Sequence, residues 1–170
     1  ISTLKNWKLK GINISADNNS AVKNSDLVIL AVKPFQVEAV IEGFRKSITN
    51  KQIIVSVITG VSLADLKTMI KKDLPVFRAM PNTAIAIQES MTCLSSINAG
   101  EQQIELVTNL FKTLGEVAAI DEKLMDAATV LGACGTAYAM RYIRANIQAG
   151  IEIGFDAKTA NLIAAQTVKG

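Results

Sequence analysis

The run from Ser25 to Pro34 constrains the fold of this chain more than any other segment. It reads Ser-Asp-Leu-Val-Ile-Leu-Ala-Val-Lys-Pro, an unbroken apolar stretch that stops at a charged residue and a proline. Such a run is typical of a central parallel strand that is buried on both faces. Pro34 suits the first position of a helix, where its missing N–H leaves no hydrogen bond unmade. The segment therefore predicts a strand that leads directly into a helix.

The turn at the end of this strand is a candidate ligand contact. In open α/β sheets, ligands bind in the crevice beyond the carboxyl ends of the strands. Residues 31–34 occupy that position if the strand runs parallel to its neighbours. A turn that contacts no ligand accounts for the same residues, since every strand-to-helix connection needs one.

Strand and helix patterns alternate from about residue 11 to residue 120. Strands are predicted at Gly11–Ser15, in the run above, and at Gln52–Ile58, Pro75–Met80 and Glu116–Ile120, with further extended pieces at Thr83–Ile87 and Met91–Ser95. Helices are predicted after the turn at Asp17–Asn19, from Pro34 to about Phe44, after the capping box of Ser62 and Asp65, and from the capping pair of Asn98 and Glu101 to Gly115. This alternation favours a mostly parallel sheet with helices on its faces.

The pattern changes after Asp121, where strand signals end and Gly and Ala become frequent. Helices are predicted at 122–131, at 136–150 and from Asp156 onward, and small residues on several of their faces would let helix axes approach closely. We therefore expect an α/β domain over 1–120 and an all-α domain over 121–170. Because no Pro-, Gly- or Ser-rich linker separates them, we expect the two to pack as one unit.

Composition excludes several classes of function. The 170 residues contain no histidine, so Ser–His and Cys–His catalytic pairs are excluded and a structural zinc site is not expected. The two cysteines, Cys93 and Cys134, are far apart and lack metal-ligand spacing, and Cys134 reads as a small buried residue. A scattered net charge of +3 and 5% aromatic residues give little support to nucleic-acid binding.

The apolar runs and the two ends of the chain lead to further expectations. No apolar run approaches the roughly 18 residues that span a bilayer, and no secretory signal opens the chain, so a cytoplasmic protein without membrane contact is expected. A doubly wound nucleotide domain normally opens with a strand and a glycine-rich turn, but the sequence contains no G-x-G-x-x-G. The last helical pattern continues to Lys169-Gly170. We expect a portion of a longer protein, or one that lost its termini.

Five short segments carry a family resemblance. They are Ala31–Pro34, Val55–Ser62 (Val-Ser-Val-Ile-Thr-Gly-Val-Ser), Phe77–Thr83 (Phe-Arg-Ala-Met-Pro-Asn-Thr), Glu122–Ala127 (Glu-Lys-Leu-Met-Asp-Ala) and Leu131–Tyr138 (Leu-Gly-Ala-Cys-Gly-Thr-Ala-Tyr). In this order and spacing they resemble pyrroline-5-carboxylate reductase, the NAD(P)H-dependent oxidoreductase family that acts on a CH–NH group and completes proline biosynthesis. The resemblance covers essentially the whole chain.

The resemblance implies a fold and partners. The fold is α/β, with a Rossmann-like, doubly wound, mostly parallel sheet followed by an all-α dimerisation domain. The cofactor is NADPH or NADH, the substrate is 1-pyrroline-5-carboxylate, and the assembly is a homodimer through the C-terminal helices that can associate further into decamers. Hydride transfer to the C=N carbon of the substrate gives L-proline.

The resemblance also implies site residues. The expected cofactor contacts are Asn18, Ala31, Val32, Lys33, Pro34, Val57, Ile58 and Thr59. Lys33 would meet cofactor phosphates as a point charge, and the glycine after Thr59 would let a ligand approach the backbone. Glu122 is expected beside the substrate. Ordinary structural roles stay open: a solvated lysine, a strand-ending turn, a helix cap at Asn18 and a first-turn acid at Glu122.

Two departures from the family pattern leave the catalytic residues unassigned. The family's serine–glycine–serine–glycine–proline segment appears here as Gly-Ala-Cys-Gly-Thr at residues 132–136, which keeps small size but loses hydroxyl groups. The family's proline–glycine–glycine–threonine substrate loop is absent from the sequence. Two alternatives therefore remain, another NADP-linked oxidoreductase of similar fold, such as a hydroxyacid or F420-type reductase, and a non-catalytic oligomerising fragment.

Overall fold

The computed structural model describes residues 10–170, which form a five-stranded sheet with helices on both faces, followed by a helical segment. The strands are β1 (Leu27–Leu30), β2 (Ile53–Ser56), β3 (Val76–Pro81), β4 (Ser90–Ile97) and β5 (Gly115–Ala119). The helices are α1 (Asn18–Lys23), α2 (Val37–Phe44), α3 (Leu63–Ile70), α4 (Glu101–Lys112), α5 (Met125–Ala128), α6 (Gly135–Glu152) and α7 (Ala157–Lys169). Short 3₁₀ helices cover Pro34–Gln36, Thr83–Ile87 and Glu122–Leu124, and a π-helical turn covers Thr129–Ala133.

The sheet follows the order β1-β2-β3-β4-β5. The pairs β1–β2, β2–β3 and β4–β5 are parallel, whereas β3 and β4 run antiparallel. The mostly parallel sheet predicted from the sequence is therefore confirmed. The prediction of a central strand buried on both faces was wrong for β1, which lies at the edge of the described sheet with Ile29 49% exposed. The antiparallel pair follows from the short connection between β3 and β4, since a parallel crossover needs a dozen or more residues.

Two apolar clusters lie on opposite faces of the sheet. On one face, Ile54 and Val76 pack with Ile41 of α2 and Leu66 of α3, and each is at most 1% exposed. On the other face, Val55 and Phe77 pack with residues of α4, among them Val107 and Phe111. Helices on both faces of a mostly parallel sheet make this a Rossmann-like α/β fold.

Local side-chain hydrogen bonds fix where the first helices begin. Asp17 caps α1, because its carboxylate accepts from the backbone N–H groups of Asn19 and Ser20. Ser62 caps α3, and Asp65 returns a hydrogen bond to the Ser62 N–H, which completes the predicted capping box. The predicted short helix is confirmed as well, but Asn18 lies within it, so the cap role left open for Asn18 was wrong.

Three local predictions were wrong. Residues 11–15 form no strand, and no strand within residues 10–170 pairs with them. Thr83–Ile87 is a 3₁₀ helix, because the Asn82 side chain accepts from the Ala84 N–H and starts a turn. Asn98 does not cap α4. It adopts a left-handed conformation with φ 57°, and Gly100 is the N-cap residue.

Gly115 starts β5 in a conformation that only glycine tolerates. Its φ is +136°, and a Cβ atom there would lie 2.1 Å from the backbone oxygen of Ser90. The Ser90 N–H donates to the Leu114 oxygen at 2.9 Å, so the two chains approach closely at this point. Gly115 therefore allows β5 to pair with β4.

The helices after β5 expose much apolar surface. Helix α6 has no buried residue, and α7 buries only Ala160 and Ala164. Large apolar side chains in this region are exposed to solvent, including Leu131 at 82%, Ile153 at 77% and Leu162 at 68%. Each helix within residues 10–170 is too short or too polar to span a bilayer.

Candidate active site

The carboxyl ends of β1 and β2 lie side by side and form a rim. The two strands are parallel neighbours, with Leu30 opposite Ser56, and the Val57 N–H extends the pairing by donating to the Leu30 oxygen at 3.1 Å. A depression of about 380 Å³ opens at this rim. It is lined by Ala31, Val32, Lys33, Gln36 and Val57. Four of these five were predicted as cofactor contacts.

Lys33 contributes the positive charge of the rim. Its side chain is exposed, and no acidic group within residues 10–170 forms an ion pair with it. Pro34 follows at the start of the 3₁₀ helix, which fixes the backbone direction there. The arrangement offers a lysine cation at the place where open α/β sheets bind ligands.

Gln36 was missed by the sequence reasoning. Its Oε1 accepts from the Lys33 backbone N–H at 3.3 Å, so it closes the turn around Pro34. The signal was present, because a glutamine three residues after a helix start is the capping-box position. Gln36 therefore holds the turn that carries Lys33 and also lines the depression.

The other predicted cofactor contacts surround this rim without lining the depression. Ile58 as a whole is only 2% exposed and belongs to the core, so little of it is open to a ligand. Thr59 is exposed, with its hydroxyl 3.9 Å from the Met80 sulfur, and Gly60 follows with φ +76°. Asn18 is the first residue of α1 and is exposed.

A second cluster of polar groups joins the sheet to the helical segment. The Glu122 Oε1 accepts from the Leu63 N–H at 2.5 Å and lies 3.5 Å from an Nη atom of Arg78. Glu122 therefore accepts a hydrogen bond at the N-terminus of α3, where a helix favours a negative charge. It is also the first residue of the 3₁₀ helix Glu122–Leu124. Its side chain is 29% exposed and faces the junction of the two parts.

Arg78 is the buried cation of this cluster and was not singled out from the sequence. It lies in β3 between buried Ser56 and Ser95 on the neighbouring strands, and its side chain is 5% exposed. The signal was a charged residue within the apolar strand Val-Phe-Arg-Ala-Met, a position that requires a partner.

Acidic groups surround Arg78. Its second Nη atom lies 3.5 Å from Asp126, whose side chain is 94% exposed. Hydrogen bonds from Ser62, together with the positive charge of Arg78, hold the pKa of Asp65 below its ordinary value. The cluster therefore presents carboxylates around one buried cation.

Asn82 forms another link between the sheet and the helices. Its side-chain N–H₂ donates to the Gly132 oxygen at 3.3 Å, while its oxygen caps the 3₁₀ helix that follows β3. Gly132 lies in the π-helical turn, a feature that is frequent at functional sites. Cys134 follows this turn and is exposed, so its predicted burial was wrong.

Two family models match parts of the chain. Residues 122–170 match the model for pyrroline-5-carboxylate reductase dimerisation, and residues 2–60 match the model for NADP oxidoreductase, coenzyme F420-dependent. Pyrroline-5-carboxylate reductase 1 of Dictyostelium discoideum is 38% identical over 182 residues, which cover 100% of this chain. The chain is homologous to the pyrroline-5-carboxylate reductases.

Solved structures of the reductase family match the fold. A pyrroline-5-carboxylate reductase from Coxiella burnetii superposes with a TM-score of 0.94 at 28% identity, covering 100% of this chain. A pyrroline carboxylate reductase from Plasmodium falciparum, solved with NADP bound, gives a TM-score of 0.88 at 26% identity over 94% of this chain. The present chain spans only part of each relative, namely 33% of the Dictyostelium protein and 64% and 61% of the two solved chains.

Proposed function

We propose that this chain is part of a pyrroline-5-carboxylate reductase, which transfers a hydride from NAD(P)H to the C=N carbon of 1-pyrroline-5-carboxylate and forms L-proline. The observation that carries the proposal is 38% identity to a protein of that name over 100% of this chain. The domain limits of 1–120 and 121–170 and a cytoplasmic location accompany this proposal as predictions from the sequence.

The rim at β1 and β2 is the proposed site for the dinucleotide. Its volume of about 380 Å³ lies at the low end of the roughly 300–1,000 Å³ of ligand pockets, so it fits one part of the cofactor. Lys33 provides a point charge for the phosphates, and small Ala31 leaves the backbone accessible. Asn18, Pro34, Val57, Ile58 and Thr59 complete the proposed contacts. Bound NADPH would supply the hydride.

Glu122 is the proposed substrate contact. A carboxylate accepts hydrogen bonds only, which suits a ligand nitrogen that carries a proton. Because the nitrogen of the cyclic imine can already be protonated, the reduction requires no strong side-chain acid, and none is assigned. The protein's contribution is to hold the hydride donor and the imine carbon in register.

The exposed apolar helices are the proposed dimer interface. Helices α6 and α7 lie within the residues that match the reductase dimerisation model. Many large apolar side chains of these helices are exposed, as is common at surfaces that bind another protein. We propose a homodimer through these helices, with decamers as a higher assembly.

A turnover and binding experiment tests this function. The chain is mixed with NADPH and 1-pyrroline-5-carboxylate, and oxidation of NADPH is followed by its absorbance. Lys33→Ala should weaken NADPH binding about tenfold, as expected for loss of one charged contact. The matched control is Lys51→Ala, since Lys51 is an exposed lysine before β2, away from the rim. Equal effects of the two substitutions would contradict the proposed cofactor site.

One alternative function has an observation in its favour. The match of residues 2–60 to the F420-dependent NADP oxidoreductase model also suits another NADP-linked reductase. Turnover of hydroxy acids or of coenzyme F420, with none of 1-pyrroline-5-carboxylate, would favour it. A chain that associates but binds no NADPH would instead be a non-catalytic oligomerising fragment.

A further inference from the structure

We propose that Arg78 is a positioning residue, which holds the Glu122 carboxylate in place at the junction between β3, α3 and the helical segment. This inference rests on the proposed substrate role of Glu122, but its geometry stands independently of any turnover. Arg78 is deeply buried, its ionic partners are acidic, and one oxygen of Glu122 stays accessible beside it.

The buried positive charge of Arg78 has to be compensated by acidic partners. The side chain is 5% exposed, and a charge in such a place is costly unless it is paired. The serine side chains beside it on β2 and β4 form hydrogen bonds elsewhere. The Ser56 hydroxyl accepts from the Ile58 N–H, and the Ser95 hydroxyl donates to the Ile120 oxygen. Within the described residues, the partners of the guanidinium are the carboxylates of Glu122 and Asp126.

The two carboxylates differ in how firmly they are held. Asp126 is 94% exposed and pairs with Arg78 at 3.5 Å, so water screens this pair. Glu122 is 29% exposed and has two partners on one oxygen, the Leu63 N–H at 2.5 Å and Arg78 at 3.5 Å. Glu122 is therefore the partner that the buried cation can orient.

The geometry leaves a defined part of Glu122 accessible. Both contacts use Oε1, and within residues 10–170 no hydrogen bond to Oε2 is formed. A partly exposed carboxylate with one oxygen anchored and one oxygen open is suited to accept a hydrogen bond from a cationic N–H ligand. A binding group of this kind has to be held in a fixed orientation by neighbouring residues, and Arg78 is such a neighbour of Glu122.

Arg78 retains further hydrogen-bonding capacity. Its Nε is buried without a hydrogen-bond partner among the described residues. The Nη contacts at 3.5 Å are also longer than the roughly 2.7–2.9 Å of a tight charge-assisted hydrogen bond. Arg78 therefore acts on Glu122 mainly through its charge, with the Leu63 N–H as the direct anchor.

The Leu63 amide proton provides a direct readout of this arrangement. An N–H that donates to a carboxylate at 2.5 Å gives a strongly downfield signal in an amide NMR spectrum of the full chain. Glu122→Gln defines the shift expected when the carboxylate is lost. Arg78→Met should remove at least half of that shift, and Arg78→Lys, which keeps a charge but loses the planar fork, should remove less. The matched control, Asp126→Asn, should leave the Leu63 signal in place.

The possible results separate this inference from the proposed function. An unchanged Leu63 signal in both Arg78 variants would overturn the positioning role, as would unfolding of both variants, since Arg78 would then serve the fold alone. In the reductase assay, Arg78→Lys should raise KM for 1-pyrroline-5-carboxylate about tenfold and change KM for NADPH by less than about twofold. A wild-type chain without turnover would reject the function, while the Leu63 signal would still decide the role of Arg78.

Discussion

The sheet and the C-terminal helices solve the problem of burying apolar surface in different ways. All four residues of β2 are buried, and Ile54 and Val55 are 0% exposed. By contrast, none of the 18 residues of α6 is buried. The sheet is covered by helices from its own chain, whereas within residues 10–170 the C-terminal helices pack mainly against each other. The sheet therefore has a buried core of its own within the described residues, whereas the helices leave the apolar surface that we propose as the dimer interface.

The strongest test of this contrast is a truncation in the core of the sheet. Phe77→Ala removes a side chain that is 0% exposed and should lower the free energy of unfolding by about 3–5 kcal/mol, through lost burial and a cavity. Urea denaturation followed by circular dichroism measures the change. The control is Phe35→Ala, at 84% exposure, which should cost less than about 0.5 kcal/mol. Similar losses for the two phenylalanines would contradict the contrast.

A charge on the helical surface tests the other half of the comparison. Leu162→Glu, at a site that is 68% exposed, should weaken self-association at least about tenfold, because dimerisation would bury an unpaired charge. Sedimentation velocity over a range of protein concentrations measures this. Leu106→Glu on α4, at 55% exposure, is the matched control and should leave association unchanged. A dimer that tolerates the first change and loses affinity with the second would place the interface elsewhere.

The capping box of α3 offers a smaller effect within the sheet layer. Ser62→Ala removes the side chain that accepts from the Asp65 N–H at 3.0 Å and should cost about 1 kcal/mol of unfolding free energy. The same urea experiment measures it, with Ser62→Asn as a cap-preserving control. A loss of unfolding free energy as large as that of Phe77→Ala would mean that Ser62 stabilises more of the sheet layer than the N-terminus of α3.

The smallest expected effect is a pH dependence in α7. Hydrogen bonds from Thr159 and from the first N–H groups of α7 hold the pKa of Asp156 below its ordinary value. Because the folded pKa is lower than the unfolded one, the stabilisation is complete above the unfolded pKa and is lost as pH falls through the folded pKa. Asp156→Asn should therefore lose less stability than the wild type as the pH falls from about 4 through the lowered pKa of Asp156. Parallel acid titrations of the two proteins that gave the same loss would contradict this assignment.

The sequence predicted those elements whose stability is encoded locally. The apolar runs of β1 and β2, the capping box at Ser62 and the turn at Asp17 required only patterns within a few residues. The parallel direction of β1 and β2, whose ends form the rim beside Lys33, followed from the alternation of strands and helices. These are the features in which local preference and overall fold agree.

The features that were missed depend on contacts distant in sequence. Thr83–Ile87 has a strand-like composition, but the cap from Asn82 and the pairing of β3 with β4 leave it as a 3₁₀ connection. Arg78 and Glu122 are 44 residues apart, so their ion pair is apparent only once β3 and the helical segment are placed together. Cys134 is exposed because the helices around it lack a covering layer within the described part of this chain, which composition alone does not show.

Position 115 of the chain accepts only glycine. At Gly60, by contrast, the positive φ alone limits which residues can replace the glycine. A Cβ atom at Gly60 would have no described atom within 4 Å, so an asparagine is sterically feasible there. At Gly115, even one methyl group would collide with the backbone of β4. In a library of random substitutions, position 115 should therefore retain only glycine. Any other residue there would separate β5 from the sheet, while the rim at the opposite edge keeps its shape.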